Sequence, residues 1–275
     1  MKTPSSDPKT SRNGSRYEIS GAADGAVVVL IHGLGLNRQV WDKYRGPLAQ
    51  RYRVLTYDLY GHGDSVAPPQ TPDLTLFSEQ LVGLMDELAI QQCALVGFSL
   101  GGMINRRVAI DHPERVTALG ILNSPHDRGS EAQARAERQA MDAAAGGPGA
   151  TLEAAIERWF TPEFRKSHDI FVERVRQWVL ANDAEIYAQC RQVLAAGVVE
   201  LIRPQPPISH PTLVMTCEHD SGSTPAMSQA IASEIDGAGV IIVPDLKHMG
   251  LTENPSFFIN SLFEFLDAVP PGDAD

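Results

Sequence analysis

Gly97-Phe98-Ser99-Leu100-Gly101 is the stretch that decides the fold. The apolar run Cys93–Val96 precedes it, and Met103–Ile110 follows with helical patterning. A G-x-S-x-G pentapeptide between a strand and a helix is the pattern of a nucleophile elbow. The glycines let the chain pass from strand to helix in very few residues. The serine is then forced into a strained backbone conformation with its hydroxyl exposed at the sheet edge. Alone, the pentapeptide also fits an ordinary Gly-rich turn with an incidental serine. The strand before it and the helix after it make Ser99 the expected nucleophile.

On both sides of this turn, short apolar runs alternate with helix-length amphipathic segments, the pattern of an α/β fold whose mostly parallel sheet is covered on both faces. The runs are Ala26–Ile31, Arg53–Tyr57, Ala94–Gly97, Ala118–Leu122, Thr212–Thr216 and Val240–Val243. Their aliphatic character suits strands buried on both faces. Tyr17–Ser20 is expected to pair with Ala26–Ile31 across the Ala23-Asp24-Gly25 turn. Leu81, Leu84, Met85 and Leu88 lie at helical spacing in Phe77–Leu88, and Asn254-Pro255 reads as an N-cap followed by proline at the first helical position. The alternation breaks once, between Ser124 and about His210, where helical patterns and most of the later aromatic residues concentrate. The expected organisation is a frayed polar tail over 1–16, an α/β core over 17–123 and 211–268, and a helical cap over 124–210 that covers the carboxyl edge of the sheet.

With 43% hydrophobic residues in 275, the chain can bury one large core. A formal net charge of -11 argues against nucleic acid or an anionic membrane surface as partner. No stretch reaches the roughly 18 apolar residues of a membrane span. Cys93, Cys190 and Cys217 are too few and too scattered for a disulfide framework or a zinc site, and they read as small buried hydrophobes in a reducing cytoplasm.

A serine hydroxyl needs a base to take its proton. His248 stands in the loop after the last strand and before the last helix, where a base can reach the elbow. His62, His112, His126, His168 and His210 fall in loops or the cap and are expected mostly to be solvated, and His32 to hold its own loop by hydrogen bonding. Asp220, after the strand Thr212–Thr216, can turn toward His248 and fix its tautomer. Glu218 is the rival, but it lies nearer the strand end. Where some folds of this kind carry the acid one strand earlier, this chain has Asn123, an amide that cannot do that work. His32-Gly33-Leu34-Gly35 follows the strand Ala26–Ile31, so the N–H groups of Leu34 and Leu100 are expected to form an oxyanion hole. The loop lacks the third glycine of a dinucleotide site and any Gly-Lys-Ser/Thr of a phosphate loop. Gly61–Ser65 reads as a structural turn.

At these residues, from about Tyr17 to Leu266, the chain resembles the capped α/β-hydrolase superfamily. Within it, the chain is most similar to the 3-oxoadipate enol-lactonases of aromatic catabolism. Asn123-Ser124, Arg158-Trp159-Phe160-Thr161 and Tyr187-Ala188-Gln189-Cys190 carry that likeness. The segment His248–Pro255 is closer to general esterases, and Tyr60 stands where many relatives have arginine. The resemblance implies a small ester or lactone substrate cleaved with water through an acyl-enzyme on Ser99. A Ser–His–Asp set needs no metal and no organic cofactor. Substrate contacts are expected from Trp159, Met249 beside His248, Asn123, and Arg158 for an anionic tail. The other basic residues of the cap, Arg128 and Arg191 among them, are expected mostly on solvated faces. A C–C bond hydrolase, a general carboxylesterase and a ligand-binding receptor of the same fold are the alternatives. A homo-oligomer is compatible with the sequence.

Overall fold

The computed structural model describes residues 7–144 and 146–269. Eight strands form one sheet in the order β1-β2-β4-β3-β5-β6-β7-β8. They are β1 (Lys9–Thr10), β2 (Arg16–Ser20), β3 (Val27–Ile31), β4 (Arg53–Tyr57), β5 (Cys93–Phe98), β6 (Val116–Leu122), β7 (Thr212–Cys217) and β8 (Gly239–Val243). β1 and β2 run antiparallel to their neighbours, and every pairing from β4 through β8 is parallel. The helices in chain order are α1 (Asp42–Leu48), α2 (Leu74–Glu87), α3 (Leu100–Asp111), α4 (Ser130–Ala144), α5 (Leu152–Trp159), α6 (Pro162–Ser167), α7 (Asp169–Leu180), α8 (Ala184–Ala196), α9 (Pro225–Ser233), α10 (Gly250–Glu253) and α11 (Pro255–Ala268).

β3 shows why the sheet is covered on both faces. Val29 and Ile31 pack into one core with Phe77, Leu81 and Leu84 of α2 and Met103 and Ile104 of α3. Val28 and Leu30 alternate into the other core with Tyr44 and Leu48 of α1 and Phe258 and Leu262 of α11. Each such fully buried aliphatic or aromatic side chain stabilises the fold by about 1.5–3 kcal/mol. α11 begins as its sequence implies, with the Asn254 side chain accepting from Phe257 N and Pro255 at the first position.

The N-terminal region differs from expectation in two ways. β2 pairs with β4, Tyr17 opposite Tyr57, and not with β3. Both edges of β3 are already taken by the parallel strands β4 and β5. Gly21, at φ 93°, makes the turn possible, since a Cβ there would lie 2.1 Å from the Tyr52 carbonyl oxygen. Residues 1–6 of the expected tail lie outside the described residues, but 7–16 are not frayed. Lys9–Thr10 adds a strand to β2, and the following turn is tied down by Ser11, Asn13 and Ser15, with Asn13 Nδ2 donating to Gln80 O.

Between β6 and β7 the described residues contain no strand, only α4–α8 and one short 3-10 turn. Their aromatic residues serve packing first. Phe171 sits edge-on to Phe160, Phe164 and Trp178 at centroid distances of 6.1–6.3 Å. Leu152, Ile156 and Phe160 join the α1/α11 core, and Cys190 and Val193 join the α2/α3 core. All three cysteines are buried, and burial pushes each thiol up to about 12. No described helix is long and apolar enough to cross a membrane.

Candidate active site

Ser99 ends the run from β5 and caps α3 with φ 56° and ψ −112°, a left-handed conformation that costs a non-glycine residue about 1–3 kcal/mol. The glycines around it are sterically required. A Cβ at Gly97 would lie 2.1 Å from Gly101 O, and one at Gly101 would lie 2.3 Å from Ile31 O. The strain is held by three bonds to the Ser99 backbone: Ser99 N donates to Leu122 O, and Ser99 O accepts from Gly102 N and from the Ser124 hydroxyl. Leu100 then opens α3, where the first N–H groups have no partner within the helix. On the other side, Gly33 approaches so closely that a Cβ there would lie 3.2 Å from Ser99 Cβ. That contact brings the loop carrying Leu34 alongside the serine.

Asp220 follows β7 and is almost fully buried. Its Oδ2 lies 2.7 Å from His248 Nδ1 and accepts from Asn123 Nδ2 at 2.9 Å, while its Oδ1 accepts from Gly222 N and Ser223 N, each at 2.9 Å. Burial pushes this carboxyl up. His248, the Asn123 amide and the Ser223 N–H outweigh that and hold it below the ordinary carboxylate range. Asp220 is therefore an anion at neutral pH, so His248 keeps its proton on Nδ1 and leaves Nε2 free to accept one. Phe98 and Trp159 flank the imidazole at centroid distances of 4.9 and 6.3 Å. Among the described residues Ser99 Oγ has no hydrogen-bond partner.

Glu218 is turned to solvent, where it accepts from Asp245 N. Glu218, His219 and Asp245 bring possible metal-ligand atoms within 4.8 Å of one another, but all three are exposed and none lines the cavity. Two histidines expected in solvent are buried: His62 packs at 5.4 Å from His32, and His126 lies beneath the start of the helical segment. His32 does hold its loop, through Gly33 O and Leu59 N.

Ser99, Asp220 and His248 share one cavity of about 440 Å³ with Leu34, Trp159 and Met249. Arg158, an exposed residue, is among those that line it, whereas Asn123 is not: it is fully buried behind Asp220, where its amide is engaged. Sequence reasoning missed Arg128 and Arg191, which also line the cavity from opposite ends of the helical segment. Arg191 donates to Thr151 Oγ1, and Arg128 to Gln133 Oε1 and Ala195 O. None of the three arginines forms an ion pair among the described residues, and Asp220 is the cavity's single acidic side chain among them. Tyr187 lies among the guanidiniums. Burial raises its phenol's pKa, and Arg191 and Arg158 pull it back. The helical segment is also fastened beside the imidazole: Met249 N donates to Trp159 O at 2.8 Å, and Glu253 accepts from Thr161 N and Oγ1.

The model of the alpha/beta hydrolase family matches residues 28–260. The chain is 30% identical to 3-oxoadipate enol-lactonase 2 of Acinetobacter baylyi over 88% of this chain and 89% of that one. It is 26% identical to (E)-2-((N-methylformamido)methylene)succinate hydrolase of the same organism, over 90% and 92% of the two chains. The solved enol-lactonase of Burkholderia xenovorans LB400 superposes with a TM-score of 0.83 at 28% identity, covering 96% of this chain and all of the other.

Proposed function

The chain belongs to the alpha/beta hydrolase family and is a hydrolase, and from that premise we infer that it opens a small lactone, or cleaves a small ester, with a carboxylate tail, through an acyl-enzyme on Ser99. The observation that carries this reading is the strained Ser99 hydroxyl in one cavity with the hydrogen-bonded His248–Asp220 pair. Helices α4–α8 act as the cap over that cavity. Three buried free thiols fit a reducing cytoplasm.

Ser99 Oγ attacks the carbonyl carbon while its proton passes to His248 Nε2. Asp220 stabilises the imidazolium that results. The negative charge that develops on the carbonyl oxygen is met by the N–H groups of Leu34 and Leu100. Collapse of the tetrahedral intermediate breaks the acyl–oxygen bond, and His248 returns its proton to the departing oxygen. In a lactone that oxygen stays tethered to the acyl group; in an enol-lactone it becomes an enol that rearranges to the ketone. Water then attacks the acyl carbon while giving a proton to His248, and collapse of that second intermediate breaks the bond to Ser99 Oγ as His248 returns the proton to it, releasing the acid. Each group needed is already named, and no cofactor takes part.

The carboxylate tail is inferred from charge. The chain as a whole is acidic, yet Arg128, Arg158 and Arg191 line the cavity, and among the described residues none of them has a carboxylate within ion-pair distance, Glu137 acting on Arg128 only from farther off. Guanidinium groups so placed favour an anionic ligand. The names of the relatives, a 3-oxoadipate enol-lactonase and an (E)-2-((N-methylformamido)methylene)succinate hydrolase, agree with it. The test compares kcat/KM for 3-oxoadipate enol-lactone, neutral short-chain p-nitrophenyl esters and a meta-cleavage dienoate. The anionic lactone should lead. A lead for the neutral esters reduces the reading to a general carboxylesterase, one for the dienoate overturns it, and a single acylation without turnover marks a receptor.

A further inference from the structure

The chain crosses between the sheet and the helical segment twice, once after β6 and once before β7. Both crossings meet at one carboxylate. At the first, His126 Nε2 lies 3.0 Å from Glu234 Oε1. At the second, Arg203 N donates to Glu234 Oε2 at 2.8 Å. Glu234 itself belongs to the sheet side of the molecule, as the residue that closes α9. Its two oxygens thus hold the two strands of chain that bound the helical segment.

The first crossing is also held from below. Arg106 of α3 is fully buried, and its guanidinium donates to Ser124 Oγ, to Pro125 O and, at 3.5 Å, toward His126 Nδ1. Arginine only donates, so His126 Nδ1 accepts and its proton sits on Nε2, aimed at Glu234. Burial and the Arg106 charge push this imidazole below its ordinary value against the pull of Glu234 and Asp127, which keeps it neutral near pH 7. The order Arg106, His126, Glu234 is therefore a directed chain with every bond satisfied. It is continuous with the elbow, because Ser124 Oγ donates to Ser99 O.

Pro125, next to His126, and Arg128, two residues beyond it, both line the cavity. We propose that Glu234 is a positioning residue: through His126 and Arg203 it latches both crossings of the helical segment and so sets where the Arg128 guanidinium stands against the substrate's carboxylate. The proposal rests on the reading of the cavity as the substrate site. It assigns Glu234 to binding of the anionic tail and not to the chemical step, since nothing in the latch touches Ser99 Oγ or His248.

The test uses Glu234→Ala, Glu234→Gln and His126→Ala in the full chain, with 3-oxoadipate enol-lactone and the neutral p-nitrophenyl acetate as probes. Glu234→Gln keeps the shape but loses one of two acceptors, so it remains informative if the alanine variant fails to fold. KM for the lactone should rise about fivefold or more with kcat little changed, a loss of binding shared by ground and transition states. KM and kcat for p-nitrophenyl acetate should stay within about twofold. Glu234→Ala and His126→Ala combined should raise KM no further than Glu234→Ala alone, since His126 acts on the latch through its bond to Glu234, which that change already removes. Equal losses on both esters would mean that Glu234 only stabilises the fold, and an unchanged lactone KM in a folded variant would equally overturn the latch. Failure of the functional reading shows separately, as wild-type protein that turns over p-nitrophenyl acetate but not the lactone.

Discussion

Asp220→Asn is the sharpest perturbation of the site, because the structure dictates how the new amide must sit. Oδ1 of Asp220 accepts from Gly222 N and Ser223 N. An amide nitrogen there would face two fixed backbone donors, so the asparagine keeps its oxygen on that side and points its NH₂ at His248 and at Asn123, whose side-chain amide must turn over to offer its oxygen in place of the nitrogen that now donates. Forcing the reverse leaves buried donors unpaired at about 1–3 kcal/mol each. With a donor at 2.7 Å, His248 Nδ1 becomes the acceptor and the ring proton moves to Nε2. The base then presents a proton to Ser99 where it should present a lone pair, and the anion that stabilised the imidazolium is gone. Loss of that arrangement costs about 10³–10⁴-fold in kcat, or about 4–5.5 kcal/mol of barrier, with KM little changed. Steady-state hydrolysis of a p-nitrophenyl ester measures it, with Glu218→Gln as the solvent-exposed control. A kcat within about tenfold of wild type, or a larger loss in Glu218→Gln, would refute the assignment of the acid.

Two further outcomes are expected. Ser99→Ala should fold normally and lose about 10³-fold or more in turnover, and a serine-reactive phosphonate should add once to wild type, seen by mass spectrometry, and not to the variant. Acid stability should depend on the buried pair His32 and His62. Burial lowers His32 to about 4, against its bond to Gly33 and with help from the Arg38 charge; burial and the neighbouring His32 lower His62 to about 3. Unfolded, both bind a proton near pH 6.5 while the folded chain does not, so stability falls as pH drops from 7 to 5, by about 2 kcal/mol for each histidine. Urea unfolding at both pH values should show His62→Gln losing about 2 kcal/mol less than wild type, and equal losses would count against the buried neutral pair.

What was legible in the sequence was whatever local sterics or strand ends fix. The elbow could be read because Gly97 and Gly101 have no room for a Cβ. Asp220 and His248 could be placed because each follows the end of one of the neighbouring strands β7 and β8, which parallel pairing brings side by side. The pairing of β2 with β4 could not be read, because it depends on which edges other strands have already occupied. Arg128 and Arg191 were equally out of reach. A guanidinium on an amphipathic helix reads the same whether its face meets water or a cavity, and only packing of the helical segment against the sheet decides. Asn123 was read for what it cannot do as an acid; its part in holding Asp220 depends on a contact between residues 97 apart.

The bond from Met249 N to Trp159 O and the bonds from Thr161 to Glu253 have a consequence for how such a protein can change. The loop that bears His248 is completed by the backbone of the helical segment, so the two are not separable modules. A chimera that grafted a foreign segment between β6 and β7 would leave the Met249 amide and the Glu253 carboxylate without their partners, and the imidazole would lose its lateral support. Divergence in substrate range should therefore proceed by side-chain exchange on a retained scaffold of helices, with the backbone around Trp159–Thr161 as its fixed point.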